Sequence, residues 1–239
     1  MGTIDLNSDV GEGFGAWAGG PDAELVPLLT SVNVACGFHA GDPSTIRRTC
    51  ELAVEHGCAI GAQVSYPDLM GFGRRFIDMQ PDELRDAVLY QIGALDSVAG
   101  AVGGEVRYVK PHGALYNAVV HHQAQARAVA EAVASCRRPI PVLGLPGSAV
   151  GEACSNVGVR FVTEGFADRT YTAEGTLVPR TQPGALITDP ATAGSQALDL
   201  ARRGIASICV HSDTPGAPML LRAVSAALAG AGFIARSFV

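Results

Sequence analysis

Short runs rich in β-branched and apolar residues recur along the chain, separated by amphipathic or alanine-rich stretches. That alternation is the mark of βα units wound around a parallel sheet. The runs predict strands over residues 4–6, 31–35, 59–63, 107–109, 141–145, 160–163 and 207–210, with a weaker one at 233–235. The best-marked helix spans 43–56, where Asp42 is placed to cap the start, Pro43 takes the first helical position and Gly57 ends it. Further helices are predicted over 81–101, 123–135, 191–203 and 217–229, where alanine supplies the propensity. Seven or eight such units in 239 residues predict an α/β protein with one domain over 1–239, closed or nearly closed into a barrel. An open doubly wound sheet is the alternative.

Composition narrows the class. With 48% apolar and 17% charged residues the chain can bury a sizeable core. A net charge of −6, with basic pairs scattered along the sequence, argues against nucleic acid as a partner. The N-terminal MGTIDLNSDV has neither a basic segment nor an apolar one, and no run is long and apolar enough for a membrane helix, so a cytoplasmic location is expected. The six cysteines are dispersed without a CxxC pair and read as reduced, mostly buried, small apolar residues.

The chemistry concentrates where predicted strands end, the side on which parallel β/α folds build their sites. The first strand runs into NSDVGEGFG, with Asn7, Asp9 and Glu12, and the second into CGFHAGD, with His39 and Asp42. Gln63 closes the third. KPHGALY follows the fourth with Lys110 and His112, TEGFADR the sixth with Glu164, Asp168 and Arg169, and VHSDTPG the seventh with His211 and Asp213. Any single aspartate here could instead cap a turn or helix. The convergence is what points to a site: three of the six histidines directly follow predicted strands, each with a lysine or aspartate within three residues. Lys110 is the one lysine against sixteen arginines, placed to neutralise an anionic group or a developing oxyanion.

No P-loop, GxSxG elbow or strand-linked GxGxxG is present. A divalent metal is conceivable on Asp9, His39 and His112, which offer the oxygen and imidazole ligands of zinc or manganese hydrolases, although no HxxxH or HExxH spacing accompanies them.

The strings IDLNSDVGEGFG, SVNVACGFHAGDP, GFGRR, YQIGALD, VKPHGALYN, FADRTY, GTLVPR and CVHSD, in order over nearly the whole chain, closely resemble the LamB/YcsF family. The resemblance implies a seven-stranded parallel β/α barrel like those of glycoside hydrolases and polysaccharide deacetylases. It also implies an activity in which ATP, as co-substrate, drives opening of 5-oxoproline to glutamate together with two partner subunits, B and C. On that reading Asp9 or His39 is expected to activate water and His112 to shuttle the proton. Lys110 and Arg169 would hold anionic oxygens, with Asp168 orienting Arg169. Asn7, Glu12, Asp42, Gln63, Glu164, His211 and Asp213 are expected to bind substrate. Two positions depart from the family pattern: Gln63 stands where a histidine is usual, and Ser212 where a glycine is usual. The competing readings are a metal-dependent, deacetylase-like carbohydrate hydrolase and a non-catalytic protein that only binds the substrate for its partners.

Overall fold

The computed structural model describes residues 2–239. Seven parallel strands close into a barrel: β1 (Thr3–Val10), β2 (Ser31–Ala35), β3 (Ala59–Val64), β4 (Val106–Pro111), β5 (Val142–Gly144), β6 (Phe161–Phe166) and β7 (Ser207–Cys209). The ring closes through β1, which pairs with β7 along Asp5–Asn7 and with β2 along Asn7–Val10. A two-residue β8 (Ile234–Ala235) adds to the start of β1. The open doubly wound alternative is thereby excluded.

Around the ring lie α1 (Asp22–Leu25), α2 (Pro43–Glu55), α3 (Pro81–Ala101), α4 (Gly113–His121), α5 (Gln123–Ala134), α6 (Ala149–Asn156), α7 (Pro190–Arg202) and α8 (Ala217–Gly230). Asp42 caps α2 as expected, its carboxylate accepting from Ser44 N and Thr45 N. The outward residues of the strands, among them Ile4, Leu6, Val32, Val34, Ile60, Val109 and Ile208, pack with helix residues such as Leu84, Val88, Val129, Leu220 and Val224 in one core. No helix among the described residues is long and apolar enough to cross a membrane. All six cysteines are free and five are buried.

The strand alternation has an unusual consequence inside the ring. Side chains alternate between faces along a strand, so while Ile4, Leu6 and Val10 of β1 go outward, Asp5, Asn7 and Asp9 go in and make contacts across the barrel. At the N-terminal end the interior is apolar: Ala59, Tyr108, Leu143 and Val162 pack with Phe238 from the C-terminal tail, and the Tyr108 and Phe238 rings lie 5.0 Å apart. Residue 61 must be glycine here, because a Cβ would collide with the Tyr108 ring. The larger polar, ionisable cluster of the interior lies toward the other end of the barrel, where Asp9, Lys110 and Glu164 meet.

Asp5 lies near the plug, buried and accepting hydroxyl hydrogen bonds from Thr30 (2.6 Å), Ser31 (2.6 Å) and Ser207. Burial pushes its carboxyl up to about 6, against the opposing effect of those hydroxyls. A folded-state pKa above the unfolded one means that Asp5 stabilises the fold fully at acid pH and loses that contribution as pH rises through about 6. Asp5→Asn removes the titration. Relative to the natural protein, the variant should gain about 3 kcal/mol between about pH 4 and about pH 8 in urea unfolding. A difference independent of pH would show that Asp5 is not strained when ionised.

Candidate active site

The expected site residues do meet at one end of the barrel, but many sit inside strands and not in the loops after them. Asn7 and Asp9 belong to β1, Gln63 to β3, Lys110 to β4 and Glu164 to β6. A strand pins both ends of each residue's backbone, so these groups hold their geometry without a ligand.

At the floor, Lys110 Nζ lies 2.7 Å from Glu164 Oε1 and 3.4 Å from Asp9 Oδ1. It also donates to Asn7 Oδ1 (3.2 Å) and approaches Cys209 Sγ (3.3 Å), with the Phe166 ring centre 5.2 Å away. Asn33 Nδ2 bonds Asn7 Oδ1 (2.8 Å) and Asp9 Oδ1 (2.9 Å), and Tyr116 donates to Glu164 Oε2 (2.9 Å). Burial works to raise the Asp9 carboxyl, but the Lys110 ammonium outweighs it and holds the carboxyl far below the usual range. Burial equally opposes the Lys110 ammonium, yet Asp9, Cys209 and Glu164 hold its proton well above the ordinary lysine value. The floor thus sets the Lys110 ammonium between the Asp9 and Glu164 side chains.

Beside the floor, His39 and His112 stack with ring centres 3.9 Å apart. Gln63 joins them: its Oε1 lies 3.2 Å from His39 Nε2, and its Nε2 lies 2.9 Å from both Glu12 Oε1 and His112 Nδ1. His112 Nε2 donates to the carbonyl of Phe72 (3.0 Å). Phe72 is the one described non-glycine residue with positive φ, at 53°, and its ring meets both imidazoles edge-on. Such backbone strain persists where the surroundings impose it, often at functional sites. Gly73, also at positive φ, is packed so closely on His39, His112 and Ser65 that no side chain fits. Burial, then His39, drives His112 well below the ordinary histidine range, so it is neutral. With both nitrogens engaged it is a poor proton shuttle, contrary to the role expected from the sequence.

His211 has a different setting. Its Nδ1 lies 3.0 Å from both carboxylate oxygens of Asp168, which also accept from His211 N (3.0 Å) and from Thr214 Oγ1 (2.5 Å). The Phe166 ring stacks on the imidazole at 5.0 Å. Burial would raise Asp168, but His211 and Thr214 outweigh it and the carboxyl is lowered. Asp168 therefore orients His211, not Arg169. Arg169 donates instead to the carbonyls of Val178 (2.6 Å) and Ala185 (3.3 Å), clamping the segment between β6 and α7 over the site. Arg169→Ala should loosen that strap, seen as faster proteolytic cleavage within 172–184; an unchanged cleavage rate would show that the strap holds without the clamp.

A cavity of 780 Å³, within the range of small-molecule sites, opens above these groups and is lined by Asp9, Glu12, Lys110, His112, Arg169, His211 and Asp213. His39, Gln63, Asn7, Glu164 and Asp168 stand behind that wall, and Asp42 caps α2 and accepts from Gly15 N. Ser212, where the family usually has glycine, has no positive φ and lies with its Oγ 3.4 Å from Glu12 Oε2.

Three participants escape a reading of the sequence. Asn33 links Asn7, Asp9 and Tyr108 inside the ring. Arg74 and Arg180, from the segments after β3 and β6, both pair with Asp213 at the mouth, the second at 3.1 Å. With Arg169 they give the rim two net positive charges. GFGRR and GTLVPR carry these arginines, and SVNVA carries Asn33 on the inward alternation of β2, but nothing in the local sequence ties them to a common cavity.

Comparison with known proteins agrees with the architecture. Curated relatives named as the A component of 5-oxoprolinase include those of Streptomyces avermitilis, 52% identical over 98% of this chain and 99% of the relative, and Kocuria rhizophila, 53% identical over the full length of both. The crystal structure of a lactam utilization protein from Thermus thermophilus superposes with a TM-score of 0.93, 42% identity and coverage of 99% of this chain and all of that one. A polysaccharide deacetylase from Bacillus cereus shares the fold alone, at a TM-score of 0.55 and 11% identity over all of this chain and 93% of that one. The LamB/YcsF profile matches residues 4–239, and with the buried polar interior described above it leaves one conclusion: the chain belongs to the LamB/YcsF family.

Proposed function

We propose that this chain is the A component of an ATP-dependent 5-oxoprolinase and that its cavity is where the lactam ring opens to give glutamate. The observation that carries the reading is the polarity of the cavity, with Asp9 and Glu164 around Lys110 at the floor and Arg74, Arg169 and Arg180 at the rim. A small cyclic amide bearing a carboxylate suits that polarity, its anionic end at the rim and its ring toward Asp9 and His211. The similarity to proteins named for 5-oxoprolinase and lactam use supports the same substrate class.

The chemistry follows from the groups in place. An unstrained lactam is a poor electrophile, and ATP, bound together with partner subunits B and C, would phosphorylate the lactam oxygen and turn it into a leaving group. Water then adds its hydroxyl to the ring carbon, the ring C–N bond breaks as the nitrogen takes a proton, and a second water hydrolyses the resulting acyl phosphate to glutamate and inorganic phosphate. His211, with Nδ1 held by Asp168, has Nε2 available to take the proton of water and return it to nitrogen. Asp9 uses Oδ1 for Asn33 and Lys110, which leaves Oδ2 to orient the water. Lys110 has its donors committed to protein acceptors, so it serves as the charge that holds Asp9 in place and not as a ligand for the substrate's anion. No step is assigned to a metal.

The test is reconstitution with the two partner subunits and assay of glutamate formation with ATP and 5-oxoproline. Turnover is expected only when this chain is present. Full turnover in its absence would rule out a catalytic role here and leave at most substrate binding, which calorimetry with 5-oxoproline would detect.

A further inference from the structure

We infer that the Gln63 carboxamide stands where a divalent cation would sit among Glu12, His39 and His112, and that it closes this cluster to metal. The cluster has the makings of a metal site: each of the three residues offers a ligand atom, and those atoms lie within 4.8 Å of one another. A cation there would need a free lone pair from each.

Gln63 takes up those positions. The amide nitrogen donates to Glu12 Oε1 at 2.9 Å, and the same nitrogen lies 2.9 Å from His112 Nδ1. Its two hydrogens occupy the lone pairs of both groups. The amide oxygen then faces His39 Nε2 at 3.2 Å, which must carry a hydrogen and offers no lone pair. The Phe72 carbonyl accepts from His112 Nε2, which is why His112 Nδ1 is the acceptor. Every donor meets an acceptor in this one assignment, and it sets both imidazoles as Nε2–H tautomers. A metal would have to break all three contacts, and Gln63 has nowhere to withdraw: it is wholly buried in β3, paired with Ala35 of β2 and Lys110 of β4. His39 Nδ1, buried with no partner, is the unused lone pair that this arrangement leaves behind. Gln63 is thus a positioning residue, holding His112 against the cavity wall by neutral hydrogen bonds. The inference is independent of the proposed lactam chemistry.

Cobalt(II) is the probe, because a protein-bound ion shows a visible d–d absorption whatever the enzyme's activity. The natural protein is expected to show no stoichiometric uptake. Gln63→Glu, which keeps the shape and replaces the donor by an oxygen, and Gln63→His, which restores the residue usual in the family, should each take up one cobalt ion at least about tenfold more tightly. Adding Glu12→Gln should abolish that uptake. Circular dichroism checks that the variants fold, and if neither does, nitrogen NMR of the natural protein decides by reading the tautomers of His39 and His112. One cobalt bound by the natural protein and lost in Glu12→Gln, folded variants that bind no better than it does, or an Nδ1–H tautomer at either histidine would each overturn the inference.

Discussion

Lys110→Met is expected to destabilise the protein by about 3–5 kcal/mol near neutral pH, the usual consequence of removing one partner from a buried ion cluster. Lys110 is 2% exposed, and its loss leaves Asp9 and Glu164 facing each other across an apolar gap with no counter-charge between them. The pH dependence makes the prediction specific. In the natural protein the Asp9 carboxyl is held low, so its contribution is present above the unfolded-state pKa and is lost as pH falls. In the variant, burial dominates and raises that carboxyl, so protonation relieves the strain. The stability deficit should accordingly shrink when urea unfolding is repeated at about pH 5 in place of about pH 8. A deficit under about 1 kcal/mol at the higher pH, or one that grows on acidification, would mean that the lysine is not the keystone of the floor.

That floor also explains what can and cannot be seen in the sequence. The strands, the main helices and the barrel are legible because outward residues such as Ile4, Leu6, Val32 and Val34 follow the period-two pattern of a buried sheet. The same pattern in IDLNSDV, with Asp5, Asn7 and Asp9 on the opposite face, reads as the end of a strand and the start of a loop. A polar inner face conflicts with the expectation of an apolar core, and only closure of the ring turns it into a site. The short β5 and β7, with three residues each, carry too little pattern to set their limits. The helices α4 and α6 escape prediction because, at nine and eight residues, each is too short to show a clear helical period. Contacts such as Arg74 with Asp213 or Gln63 with His112 join residues 139 and 49 positions apart, and no local rule links them.

The Asp168–His211 pair yields the other large effect. Asp168→Asn should lower the turnover number of the reconstituted enzyme by about 10²–10⁴-fold, the span associated with a positioned acid–base group, while leaving KM nearly unchanged. The carboxylate accepts from His211 N, from His211 Nδ1 and from Thr214. An asparagine has one oxygen, and the backbone N–H cannot turn away, so the oxygen stays with it and the amide hydrogens face Nδ1. The imidazole must then carry its proton on Nε2, and the nitrogen aimed at the substrate becomes a donor with no lone pair for water. His211→Ala should lose activity to a similar degree, and combining the two substitutions should cost little more than either alone, because both disable one device. Since Asp168 is held low and its stabilising contribution is lost only as pH falls, the Asn variant should also unfold with a flatter acid dependence. Losses that multiply in the double variant would show that the aspartate acts through something other than His211, and a loss confined to KM would place the pair in substrate binding instead of proton transfer.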